Sequence, residues 1–205
     1  MSEPHVARVA ILNETGVKME QVVLTHRFGD NDAVDVLTWD AVDQGKRSAT
    51  QNVRFATGFG DMTNYDWWLL TWKTKDGSHE AVEHSSAPSV LHMIGDYIIM
   101  GGEDVVSSFQ GIPALVSTAD PVKSGSEFGG ALTKLLFGGI ARKVSKKAFK
   151  EHMLTSSDAY DPAVQRADPE VIVKAGTDGM TIASISGTSK ADCTSLAIPR
   201  ALPAV

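Results

Sequence analysis

The nine residues from Asp66 to Thr74, Asp-Trp-Trp-Leu-Leu-Thr-Trp-Lys-Thr, constrain the fold more than any other stretch. In a strand, successive side chains point to opposite faces. Trp68, Leu70 and Trp72 then share one face, and Trp67, Leu69, Thr71 and Lys73 share the other. Two indoles and a leucine in one row need a second apolar layer across from them. Such a strand therefore predicts a packed sheet rather than an isolated hairpin.

The same period-two pattern recurs before and after this strand. Val9 and Ile11 alternate with Arg8, and Asn13-Glu14-Thr15-Gly16 reads as a turn into a second strand from Val17 to Phe28. We expect these two to pair as a hairpin with a four-residue loop. Val34–Trp39, Gln51–Thr57 and a short piece near Glu80–His84 are further strands. After Asp168-Pro169, Val171 and Val173 alternate up to a turn at Gly176-Thr177-Asp178-Gly179, and Met180, Ile182 and Ser184 oppose Thr181, Ala183 and Ile185. This terminal hairpin is expected to complete the N-terminal sheet.

Between these blocks the period changes. Leu91, Ile94 and Ile98, then Phe128, Leu132, Leu135, Leu136 and Ile140, have helical spacing, with a second short helix expected around Ala148–Leu154. The reading is a mainly β protein, an antiparallel β-sandwich with a helical insertion at about 90–155 before a C-terminal hairpin. As one domain over 1–205, it divides into N-terminal strands at 1–88, the insertion at 89–155 and C-terminal strands at 168–198.

The net charge of -6 is uneven: -8 over residues 1–119, +4 over 120–152 and -2 over 153–205. An acidic chain is a poor nucleic-acid binder, so no nucleic-acid partner is expected. No run of eighteen apolar residues occurs, so no transmembrane helix is expected. The Met-Ser-Glu-Pro-His start lacks a basic region followed by an apolar one, which predicts a chain made without a secretory leader and a cytoplasmic location. The single cysteine, Cys193, has no partner within the chain for a disulfide and is read as a structural thiol.

Several of these segments, taken in order, resemble one family. Val6–Asn13 runs into Asn13-Glu14-Thr15-Gly16, followed by Trp39, then Thr57-Gly58 and Tyr65-Asp66-Trp67-Trp68-Leu69-Leu70-Thr71-Trp72. Phe149-Lys150-Glu151-His152-Met153-Leu154 and Asp158 come last. The chain is similar to the up-regulated-in-Daf domain family, named for raised expression in long-lived nematode mutants. The resemblance spans most of the chain and implies an all-β core, with a helical stretch between the tryptophan strand and the terminal hairpin. It implies no established reaction and no catalytic residues. In style alone, the first half also resembles the aegerolysins, small lipid-binding β-sandwiches. The acidic loop at Asp30–Asp43 and a longer tail depart from the family pattern.

Four groups of residues are candidates for function. Tyr65 and Trp67, at the start of the tryptophan strand, form an aromatic cluster able to stack on a sugar, a headgroup or a small apolar ligand. Lys143, Lys146, Lys147 and Lys150 follow an apolar helical stripe, as in helices that lie on membranes. Asp30, Asp32 and Asp35 are oxygen donors at spacings a hard cation accepts, although the calcium-loop glycine and terminal glutamate are missing. A turn at Gly29 would let His26 and Asp30 form an acid–base pair, and His92 beside an apolar helix could serve as a buried base. Histidines 79, 84 and 152 could equally supply a general base, but nothing in the sequence fixes their geometry. No serine elbow, phosphate loop or zinc helix is present in the sequence.

The expectation is therefore a non-enzymatic binding module for a lipid, a membrane surface or another amphipathic small ligand, without a cofactor. A small-molecule cyclase, isomerase or hydrolase with a pocket between sheet and helices is the alternative. A structural or stress-response interaction protein is the third class.

Overall fold

The computed structural model describes residues 3–28, 33–58, 66–75, 81–86, 149–164 and 166–198. Eleven strands carry these residues. In chain order they are β1 (Glu3–Glu14), β2 (Met19–Phe28), β3 (Ala33–Val42), β4 (Gln51–Thr57), β5 (Asp66–Thr74) and β6 (Ala81–Ser85). There follow β7 (Lys150–Glu151), β8 (Val171–Gly176), β9 (Gly179–Ser184), β10 (Gly187–Asp192) and β11 (Thr194–Ile198). They form two sheets. The first has the order β10-β9-β8-β1-β4; the second has β11-β6-β5-β2-β3, with β7 added to β5.

The alternation in the sequence sets what lies between the sheets. Val9 and Ile11 from β1, Val53 and Phe55 from β4, Val171 and Val173 from β8, and Met180 and Ile182 from β9 face inward. Opposite them stand Val22 and Leu24 of β2 with Trp68, Leu70 and Trp72 of β5, all buried. Trp39 joins this core, and its indole N–H donates to the carbonyl of Ala49. The other face of the β2–β5 pair is buried as well, at Val23, Thr25, Leu69 and Thr71.

Four expectations need correction. β1 and β2 are not a hairpin: β1 pairs with β4 and β8, and β2 with β3 and β5, so the four-residue connection crosses from one sheet to the other. Asn13 accounts for the crossing. Buried near the end of β1, its amide N–H donates to the carbonyls of Val17 and Val42, and its side-chain carbonyl accepts from the Thr15 N–H. Gly16 sits at φ +89°, where a side chain would strain the backbone. These bonds occupy the turn residues with the crossing instead of a two-strand ladder.

The sandwich is not wholly antiparallel. β1 and β8 run parallel in register, Val9 beside Val171 and Ile11 beside Val173. Parallel neighbours need a long connection rather than a tight turn, and more than 150 residues separate these two. The terminal strands also exceed a hairpin: β8, β9 and β10 extend the first sheet, while β11 crosses to pair with β6 of the second.

The helical insertion falls mostly outside the described residues. Where its end is described, the short helix expected around Ala148–Leu154 is absent. Lys150 and Glu151 form a strand against Trp68 and Trp67 of β5, and the only helical piece among the described residues is a 3-10 turn at Ser156–Asp158. A row of hydrogen bonds to β5 competes successfully with helix formation there. No helix among the described residues is long and apolar enough to cross a membrane.

Candidate functional site

The start of β5 acts as a clamp on the segment that follows β7. The Trp68 indole N–H donates to the carbonyl of His152 at 2.9 Å. The His152 N–H donates to the Asp66 carbonyl at 3.1 Å, and the Leu154 N–H donates to Asp66 Oδ2 at 2.8 Å. Asp66 Oδ1 lies 3.0 Å from His26 Nε2, both side chains being fully buried. The His26 ring stacks on Trp68, with centroids 4.0 Å apart, and on Phe28. Buried carboxylates persist where hydrogen bonds replace water, and Asp66 has one such partner on each oxygen.

This clamp presents His152 to the mouth between β7 of one sheet and β10 of the other. His152 is buried, and both ring nitrogens meet serines: Nδ1 lies 3.1 Å from Ser189 Oγ, and Nε2 lies 3.0 Å from Ser184 Oγ. Ser184 continues the inward row of Met180 and Ile182 to the end of β9, and Ser189 pairs with Ile182 across the hairpin. Ser184 Oγ is 2.8 Å from Ser186 Oγ, whose hydroxyl donates to the Met153 carbonyl. The result is a shallow groove of about 370 Å³, with residues 150–153 on one wall and 186–189 on the other.

Burial holds the His152 imidazole below the ordinary histidine range, although the carboxylates of Asp158 and Asp66 pull it upward. Behind it, the Asp158 side chain is buried. Burial alone would raise this carboxyl, but hydrogen bonds from the Thr155 N–H and from Ser186 and Ser184 outweigh it and hold the group below the usual aspartate value.

The sequence candidates separate. Lys150 lines the groove, as does Glu151; Trp67, which pairs with Glu151 in the β5–β7 ladder, is not among the lining residues. Tyr65, Lys143, Lys146 and Lys147 lie outside the described residues, as do Asp30, Asp32 and His92. His26 has Asp66 as its partner. Asp35 is engaged by Arg54, which donates to it from its backbone N–H at 2.7 Å and from its guanidinium. Among the described residues, no three His, Cys, Asp or Glu side chains gather as a metal site.

Ser184, Ser186 and Ser189 were not singled out by sequence reasoning, and His152 was only one of several histidines. The available signal was Ser184-Ile185-Ser186-Gly187-Thr188-Ser189, a hydroxyl-rich turn where an apolar strand ends. No curated protein was found to match the chain. Residues 4–193, a span reaching from β1 to just past β10, match the model of the family described as Up-Regulated in long-lived daf-2, and the chain belongs to that family.

Proposed function

We propose that this domain is a binding module for an amphipathic small ligand, a lipid headgroup region included, and that the ligand's polar end enters the His152 groove. The groove itself carries the reading. Its walls offer hydroxyls from Ser186, Thr188 and Ser189, a cation from Lys150 and an anion from Glu151, with Met153 as the apolar contact. Small-ligand sites join an orienting set of polar groups to a concave surface, and the apolar part of the molecule stays outside this polar mouth.

Vesicle binding tests the reading. At low salt the protein should bind vesicles containing anionic phosphatidylserine more tightly than neutral phosphatidylcholine, and salt should weaken the attachment. A lysine near an anionic surface contributes roughly 1 kcal/mol, so Lys150→Gln should weaken binding about fivefold. Replacing Lys143, Lys146, Lys147 and Lys150 together by Gln should nearly abolish it without lowering Tm. A protein that ignores both vesicle types at low salt sinks the lipid form of the proposal.

A further inference from the structure

The hydrogen-bond chain through His152 has a direction. Its far end is the Met153 carbonyl, which can only accept, so Ser186 spends its proton there. Ser186 Oγ then accepts from the Ser184 hydroxyl at 2.8 Å. Ser184, having donated, accepts from His152 Nε2 at 3.0 Å. Asp158 is a carboxylate and only accepts, so whether the Ser184 proton goes to Ser186 or to Asp158 it is spent away from the imidazole, and Ser184 is left to accept from Nε2. A neutral His152 must therefore carry its proton on Nε2 and a bare lone pair on Nδ1. The hydroxyl facing that lone pair is Ser189, at 3.1 Å and on the groove wall.

We propose that Ser189 is a nucleophile for acyl transfer, that His152 is its general base, and that a small carboxylic ester is the substrate class. A serine within hydrogen-bond reach of a base that a third group orients is the arrangement nucleophilic hydrolases use. Here the orienting role falls to Ser184 and Ser186 as positioning residues. The proposal goes beyond ligand binding in the same groove.

The step balances. Ser189 Oγ bonds to the ester carbonyl carbon while its proton passes to His152 Nδ1, and the carbonyl π pair moves to oxygen. Thr188 lines the groove next to Ser189, and the alternation of the β9–β10 ladder turns its N–H away from β9, where it can meet that oxyanion. Collapse breaks the bond to the alkoxide, which takes the proton from His152 as it leaves. Water, activated by the same nitrogen, then releases the acid and restores Ser189. Because burial depresses the imidazole, His152 is neutral and able to accept at pH 7.

The test is labelling of the full chain with an alkyl fluorophosphonate, followed by peptide mass mapping. Ser189 Oγ should bond to phosphorus with loss of fluoride, giving one adduct on Ser189. Ser189→Ala, which removes a half-buried hydroxyl and should fold, must lose the adduct. His152→Gln should slow labelling by about 10² or more, the lower end of what a general base contributes. Should that variant unfold, the wild-type pH profile replaces it, and the rate should rise to a plateau with a midpoint below 6.5. Ser195→Ala, on the exposed β11, should label at the wild-type rate. Folded wild-type protein that takes no label, labels elsewhere, or labels equally well as Ser189→Ala overturns the assignment. Loss of labelling with vesicle binding retained removes the nucleophile alone; labelling without vesicle binding removes the lipid reading alone.

Discussion

At the scale of single residues, Asp66 and Trp68 join stability to the site. Trp68 is fully buried between the sheets, yet its one polar atom holds the His152 carbonyl. Trp68→Ala should cost about 3–5 kcal/mol, the range for deleting a large buried aromatic. Trp68→Phe keeps much of the apolar volume but leaves a buried carbonyl unpaired, which should cost about 1–3 kcal/mol and loosen the segment carrying His152. Denaturant melts of both variants test this, and a Phe variant as stable as wild type would show that the indole N–H is dispensable. The pH dependence also begins with named groups. Burial depresses His84, which stacks on Trp72, and it depresses His152. As pH falls below about 6.5 the unfolded chain gains these protons before the folded one does, so stability present above that value declines. A second decline should begin near pH 4, as the unfolded forms of Glu170 and Asp158, with ordinary values of 4.5 and 3.8, protonate ahead of the folded ones. Burial of Glu170 opposes its depression, but the fork of hydrogen bonds from Arg8 outweighs it. A Tm that stays flat from pH 8 to pH 5 would contradict the histidine part.

At the scale of elements, legibility followed the range of the forces involved. β4 and β5 were read with their observed ends, Gln51–Thr57 and Asp66–Thr74, because alternation is local and turn residues bound each run. The inward row of Trp68, Leu70 and Trp72 was equally legible. Strand partners were legible only across the tight Gly176–Gly179 turn, where β8 pairs with β9. Alternation states which way a side chain points, not which ladder receives the backbone, so β1 and β2 looked like a hairpin although they lie in different sheets. The same limit hid the site. Lys150 was legible as a cation after an apolar stripe, but β7 owes its existence to a ladder with residues more than eighty positions earlier. Ser184 and Ser189 become neighbours of His152 only once β9, β10 and β7 occupy the same mouth. His26 was seen as half of an acid–base pair, but its observed partner, Asp66, is forty positions away rather than four.

At the scale of the whole molecule, the parallel β1–β8 pair governs when the structure can form. β1 lies between β4 and β8, so its second edge stays open until Val171–Gly176 exist. On a ribosome adding about 5–20 residues per second, the first strand therefore waits many seconds with one edge unsatisfied. A chain cut after Asp168 lacks β8 to β11 and leaves that edge open to pairing with other chains. It should be recovered as aggregate and be cleaved quickly by protease, whereas the full chain resists. A soluble, protease-resistant product from the cut chain would show that the N-terminal strands close without their C-terminal partners. A chain built this way depends on being shielded while it is made, and its yield in a cell should track chaperone supply more closely than its finished stability.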